Sequence, residues 1–261
     1  MSQEEIKAAD AAGFRCISSR VLVKEGGLVV ARYSALPNYK ELADDVTNLG
    51  AKLINSWRQH CYIADMRNWV EDLKELTPQT WYRPEDVPSD AKGPFVLKGE
   101  MNSKKEAWST CMYAKDRPAI YDVYARLQED AFIGAQDIYV RQYVPLVTYA
   151  LGIGGLPITK EFRFFFCRRQ LLTGAYYWDS WADSCLDVDP NWKEPCVDEV
   201  PQAFLAEVIA RIGNRAEFIV IDAAQDITGR WWVVDVNDGQ QSGLSGNKPD
   251  VLYSRLFEVL A

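Results

Sequence analysis

The run Glu217-Phe-Ile-Val-Ile-Asp-Ala-Ala224, then Gln225, the turn Asp226-Ile-Thr-Gly229, and Arg230-Trp-Trp-Val-Val-Asp-Val-Asn237 decides how this chain is read. Two β-branched apolar runs flank a short polar segment that ends in glycine, which is the pattern of an antiparallel hairpin. A four-residue turn over Asp226–Gly229 sets Asp222 opposite Val233, on the face that also carries Asp235 and Asn237. Ile219, Ile221, Val234 and Val236 are then expected on the other face, in a core. Two carboxylates and an amide oxygen on one ribbon face suit magnesium, which takes one or two carboxylates beside phosphate oxygens and water. A solvated acidic face is the competing reading of the same spacing.

Working outward, alternation in Thr159-Lys-Glu-Phe-Arg-Phe-Phe-Phe-Cys167 sends Phe162, Phe164 and Phe166 to one side of a strand and Glu161 and Arg163 to the other. Pro94-Phe-Val-Leu-Lys-Gly99 is a short apolar strand ending in Lys98, and a polar loop with Asn102, Ser103, Lys104 and Lys105 follows it. A strand-end lysine before such a loop suits phosphate. Ile138–Val144 is a strand carrying Arg141 between Tyr139 and Tyr143, which equally suits a structural cation–π contact. Arg163 beside Glu161 equally suits an ion pair.

Elsewhere the pattern mixes helices with strands. Strands are expected at Phe14–Val23 and Gly27–Tyr33, joined by a turn at Gly26-Gly27, and at Ala51–Asn55 and Gly174–Trp178. Helical spacing covers Tyr39–Leu49, Asp65–Leu76, Lys104–Ala114, Ile120–Asp130, Gln202–Ile212 and Pro249–Leu260. Pro78, Pro84 and Pro88 mark 78–93 as a linker. This order predicts an α+β fold. The acidic run Asp179–Glu199 lacks the spacing of a calcium loop and reads as a solvated insertion, and Gly152-Ile-Gly-Gly155 reads as a turn.

Nine Trp, 13 Tyr and 10 Phe in 261 residues supply a substantial core, which excludes global disorder. A net charge of −8 disfavours generic nucleic-acid binding. Gln142–Thr159 is uncharged over 18 residues, but prolines and glycines interrupt it, so no membrane span is expected. The polar, acidic N-terminus shows no secretion signal, and six scattered cysteines point to reduced thiols in the cytoplasm. A single histidine, His60, leaves no Ser–His–Asp set and no zinc cluster; it is read as structural rather than as a base.

In the order and spacing of these motifs the chain resembles the ATP-grasp superfamily over roughly residues 50–261. Phe95-Val-Leu-Lys98 is similar to the strand whose lysine contacts nucleotide phosphates, and the following loop to the one that closes over them. Tyr139-Val-Arg-Gln-Tyr-Val144 resembles the hinge strand that reads adenine, and Glu161-Phe-Arg163 the strand after it. Asp222 followed by Asp235-Val-Asn237 resembles the terminal metal-binding pattern, with the same 13-residue gap. Lys98, Arg141 and Arg163 are similar to the set that names the subgroup with two arginines and a lysine. The chain departs from the family in carrying Asp235 where Glu is commoner and Gln142 where the hinge is usually acidic.

The resemblance implies two α+β subdomains sandwiching ATP, at 94–144 and 145–261, after a small α/β substrate lobe at 1–77 and the linker at 78–93. It implies ATP and Mg2+ as cofactors. Lys98, Lys104, Lys105, Gln142, Tyr143, Val144 and Glu161 would bind nucleotide, and Asp222, Asp235 and Asn237 would hold metal. Arg163 and Arg141 would neutralise the transferring phosphate. The implied activity is carboxylate–amine ligation through an acylphosphate, on an amino acid, a peptide or another small molecule. A small-molecule kinase or an inactive nucleotide-binding module are the alternatives.

Overall fold

The computed structural model describes residues 1–32, 38–101 and 103–261. Tyr33, the end of one expected strand, and Asn102, in the expected phosphate loop, lie outside the described residues. In chain order the elements are α1 (Gln3–Ala12), β1 (Leu28–Val29), α2 (Tyr39–Asn48), β2 (Lys52–Leu53), α3 (Trp57–Ala64), α4 (Met66–Val70), β3 (Thr80–Trp81), β4 (Phe95–Gly99), β5 (Tyr113–Ala114) and α5 (Arg117–Gln128). They continue with β6 (Ile138–Gln142), β7 (Thr148–Leu151), β8 (Pro157–Thr159), β9 (Glu161–Cys167), β10 (Gln170–Tyr176), α6 (Ala182–Val188), α7 (Gln202–Ile212), β11 (Phe218–Gln225), β12 (Trp231–Asp238) and α8 (Pro249–Leu260). The fold is α+β, and two four-stranded antiparallel sheets carry the site.

The first of these sheets has the order β10-β9-β11-β12. Period two in β9 sends Phe162, Phe164 and Phe166 into one core, where Leu205, Val208, Ile209 and Ile212 of α7 meet them at helical spacing. The alternate residues Phe165 and Cys167 join a second core with Leu252, Tyr253 and Leu256 of α8, against which α1 packs. Both faces of β9 are therefore covered at one end. At its other end Glu161 and Arg163 stay clear of that helix cover, which is where the chemistry gathers.

The second sheet has the order β3-β6-β4-β5. Phe95, Leu97, Ile138 and Val140 pack against Ile120, Val123 and Leu127 of α5. The alternate residues, Val96 and Lys98 on β4 and Arg141 on β6, face the first sheet; Val96 pairs with Arg141 in the ladder.

Several local expectations are corrected. Residues 14–23 form no strand, and Gly26-Gly27 closes no hairpin. The Gly26 N–H donates instead to Gly50 O at 2.8 Å, and β1 pairs in parallel with β2 after the crossover through α2. The expected helix at 104–114 is a 3-10 turn at Lys105–Ala107 and a π-turn at Trp108–Met112; its end is captured as β5, which pairs with Phe95-Val96. The stripe at 65–76 is buried as expected, but regular helix stops at Val70 and the chain turns through Glu75 with φ 72°. Within 78–93, Thr80-Trp81 forms an edge strand on β6. The segment read as a loop after β6 holds the β7–β8 hairpin, and the acidic run contains α6.

Phe164 is 2% exposed at the centre of the first core. Phe164→Ala is expected to cost about 3–5 kcal/mol, the usual loss for emptying so large a buried volume, read as a lower midpoint in urea denaturation.

Candidate active site

The site begins with the register of β11 and β12. A bulge shifts the pairing so that Asp222 lies directly opposite Asp235, while Val233 faces Ala223. The expected pairing of Asp222 with Val233 is thus corrected. A bulge sets two residues of one strand against one of the other, and Val234, expected in the core, lines the same cavity as Asp235. Ile219, Ile221 and Val236 do enter the core.

Directly opposed like charges destabilise a sheet unless something neutralises them. Here each carboxylate has its own cation. Arg163 donates from Nε and Nη2 to the two oxygens of Asp222 at 2.8 and 2.7 Å, and from Nη1 to Gly243 O at 3.0 Å. Lys98, from the other sheet, donates to Asp235 Oδ2 at 2.8 Å. Burial alone would raise the Asp235 pKa, but the Lys98 ammonium outweighs it and holds the carboxyl below its ordinary range. Burial likewise opposes the charge on Arg163, yet Asp222 drives its pKa upward. The ion-pair reading of Arg163 holds, with Asp222 rather than Glu161 as partner.

Glu161 sits beside these pairs. Its Oε2 accepts from Thr159 Oγ1 at 3.1 Å and from Trp178 Nε1 at 3.2 Å. Burial pushes its carboxyl up to about 7, against the pull of the Lys105 charge and with the push of Asp222. Lys105 donates to the Tyr177 hydroxyl at 2.7 Å. Arg141 donates to Val234 O at 2.6 Å and to Thr77 Oγ1 at 2.7 Å, and lies 5.9 Å from the Trp69 ring rather than between tyrosines. Burial pulls its guanidinium down to about 10, partly offset by Asp235. Its buried Nε–H has no hydrogen-bond partner.

These groups border one cavity of ≈ 150 Å³, which also takes in Pro78, Val96, Trp108, Met112, Leu156 and Pro157 as an apolar wall. Lys98, Lys105, Arg141, Gln142, Tyr143, Val144, Glu161, Asp222 and Asp235 are brought together there. Arg163 reaches the cavity only through Asp222. At the hinge, the Gln142 amide donates to Lys92 O and Pro94 O, and the Tyr143 N–H to Pro94 O. Lys104 points elsewhere and pairs with Asp130 and Glu106. Asn237 stands opposite Val220 on the ladder, outside the cavity lining. His60 is buried, with Nδ1 3.0 Å from Asp238 Oδ2 and its ring stacked on Tyr39, and takes no part in the cavity. A larger cleft of ≈ 670 Å³ beside residues 14–24 has no comparable set of converging charges.

Thr77, Thr159, Tyr177 and Trp178 were not anticipated. Nothing local marks Thr77, whose hydroxyl fixes Arg141 and itself donates to Val233 O. Trp178 stood at the end of an expected strand without any sign that its indole would meet Glu161.

The donor set consists of two opposed carboxylates, the kind of hard oxygen that magnesium takes, and Arg141 carries an unmatched donor suited to a phosphate oxygen. Among the described residues no cluster of three or more His, Cys, Asp or Glu side chains is placed to hold a metal. A magnesium ion that rests largely on phosphate and water needs no such cluster.

The model of the ATP-grasp domain, family 3 of the clade named for two arginines and a lysine, matches residues 85–256. The chain belongs to this ATP-grasp family. Solved structures that share the ATP-grasp fold include the RimK domain ATP-grasp protein of Sphaerobacter thermophilus, with TM-score 0.61 and 17% identity over 100% of this chain and 96% of that one. The D-cycloserine synthetase DcsG follows at TM-score 0.60 and 14% identity, covering 99% and 94%. The macrocyclase MdnC of Microcystis aeruginosa, bound with precursor peptide MdnA, gives 0.57 and 11% over 98% and 93%. No curated protein matches the sequence. Among the described residues, no helix of this ATP-grasp chain is long and apolar enough to cross a membrane.

The raised Glu161 carboxyl gives a pH test. Between its ordinary value near 4.5 and about 7 the folded chain binds more protons here than the unfolded chain. Its contribution to stability is therefore present at low pH and lost as pH rises through about 7. Glu161→Gln, which keeps an acceptor for Thr159 and Trp178, should gain melting temperature relative to the parent from about pH 5 to pH 8. A difference that does not change with pH contradicts the assignment.

Proposed function

We propose that this ATP-grasp chain is a magnesium- and ATP-dependent ligase that joins a carboxylate to an amine through an acylphosphate. The observation that carries the reading is the convergence of Lys98–Asp235, Arg163–Asp222 and the half-satisfied Arg141 on one cavity between the two sheets. That arrangement offers exchangeable partners to a ligand bearing both anionic oxygens and a cation. The names of two fold neighbours, a synthetase and a macrocyclase bound with a precursor peptide, point the same way and suggest an amino acid or peptide substrate.

In this reading Lys98 and Lys105 hold phosphate oxygens, and Arg141 adds its unmatched Nε–H. Asp222 and Asp235, with Asn237 next on the strand, hold magnesium, which supplies neutralisation of phosphate charge. Arg163 steadies Asp222 and offsets the charge that builds during transfer. The apolar wall of Val96, Trp108, Met112, Leu156 and Pro157 takes the base, with Gln142, Tyr143 and Val144 at the hinge. A substrate carboxylate oxygen attacks the terminal phosphorus and the bond to the ADP oxygen breaks. The amine nitrogen then attacks the acyl carbon, inorganic phosphate departs, and the amine gives up a proton. Such transfer asks for positioning and charge balance rather than a nucleophilic side chain. Six free thiols suit a reducing, cytoplasmic setting.

The test is incubation with ATP, magnesium, hydroxylamine and panels of amino acids and peptides. A hydroxamate should form together with ADP. ADP formed on a hydroxyl acceptor without any hydroxamate would instead mark a kinase. Lys98→Ala should lower kcat/KM by about 100-fold or more, the scale of losing one preorganised charge contact in a closed site.

A further inference from the structure

Lys105 is tied to the opposite lobe by a residue that the proposed chemistry does not use. Its ammonium donates to the Tyr177 hydroxyl at 2.7 Å and lies 4.4 Å from the centre of that ring and 4.8 Å from that of Trp178. Tyr177 follows β10 and is itself held: its N–H donates to Glu161 O at 2.9 Å, and the Arg163 guanidinium lies 4.6 Å from its ring. A second contact fixes the same loop. Gly154, at φ 64°, brings its backbone so close that an added Cβ would stand 2.6 Å from Glu106 O. Residues 103–112 are therefore clamped onto the C-terminal half at two points, one of them an exchangeable hydrogen bond.

The cavity beneath is ≈ 150 Å³, well below the roughly 300–1,000 Å³ usual for small-molecule sites. A nucleotide enters only if the loop gives way, and the loop then has to return.

We propose that Tyr177 is a positioning residue that parks the Lys105 ammonium at the mouth of the cavity and hands it to the incoming phosphate. The inference rests on the reading of the cavity as a nucleotide site. A bond from an ammonium to a phosphate oxygen is charged at both ends and outcompetes one to a neutral phenol, so the exchange runs towards the bound nucleotide. The aromatic rings keep the ammonium near the phosphates while the hydroxyl lets go.

The experiment combines amide hydrogen exchange over residues 103–112 without nucleotide and calorimetric titration with ADP and magnesium, on Tyr177→Leu, Tyr177→Phe, Lys105→Ala and the Tyr177→Leu/Lys105→Ala double variant. Tyr177→Leu is expected to speed exchange in 103–112 by about tenfold and to weaken MgADP about fivefold, since it loses both the ring and the hydroxyl. Tyr177→Phe keeps the ring and should show about a twofold change in each. In the Lys105→Ala background, Tyr177→Leu should change neither quantity further. Unaltered exchange in both Tyr177 variants overturns the proposal, as does a full Tyr177→Leu penalty in the Lys105→Ala background, which would mark Tyr177 as packing alone. If Tyr177→Leu does not fold, Tyr177→Phe with and without Lys105→Ala decides by the same signs. A parent protein that binds no MgADP overturns the nucleotide reading and the hand-over with it. Normal MgADP binding with unaltered exchange sinks the positioning role alone.

Discussion

The ion pair between Lys98 and Asp235 joins the two sheets across the cavity, and the rest of the site depends on it. Lys98 belongs to the sheet backed by α5, whereas Asp235 belongs to the sheet backed by α7 and α8. Arg141 crosses the same gap to reach Val234 O. Between them these contacts set how far apart the sheets stand, and so the width of the slot that receives a ligand. The bulge in β12 makes this possible, because it turns Val234 and Asp235 together towards Lys98 and Arg141.

Buried ion pairs are weak sources of stability, since desolvation of both partners offsets most of their attraction. Four cations and three carboxylates around one small cavity therefore make poor sense as a device for holding the chain together. They make better sense as a set of partners that can be exchanged. A phosphate chain can take over Lys98, Lys105 and Arg141, and the carboxylates released from their cations are then free to meet a metal. The core stability comes instead from the phenylalanines of β9 and the helices that cover them.

Much of this was legible in the sequence because it rests on local alternation. The period of β9, the strand ending in Lys98 and the paired runs around Asp226–Gly229 each announce both their structure and the faces they present. What failed depended on distant partners. Residues 104–114 carry a helical pattern, but pairing of Tyr113-Ala114 with Phe95-Val96 and the approach of Gly154 override it. The hairpin register slipped because a bulge leaves no mark in residue type. Lys104 and Lys105 are indistinguishable in sequence, yet Asp130 takes the first and Tyr177 the second. Thr77 could not be found at all, since its role exists only once Arg141 lies beside it.

The central claim is that the charges around Asp222 and Asp235 exchange partners when a magnesium nucleotide binds. Calorimetric titration of the whole chain with ATP, with and without magnesium, tests it most directly. The account predicts one nucleotide per chain, bound about tenfold or more tightly when magnesium is present, as expected where two carboxylates and the phosphates share the metal. Absence of binding, or binding indifferent to magnesium, would contradict it.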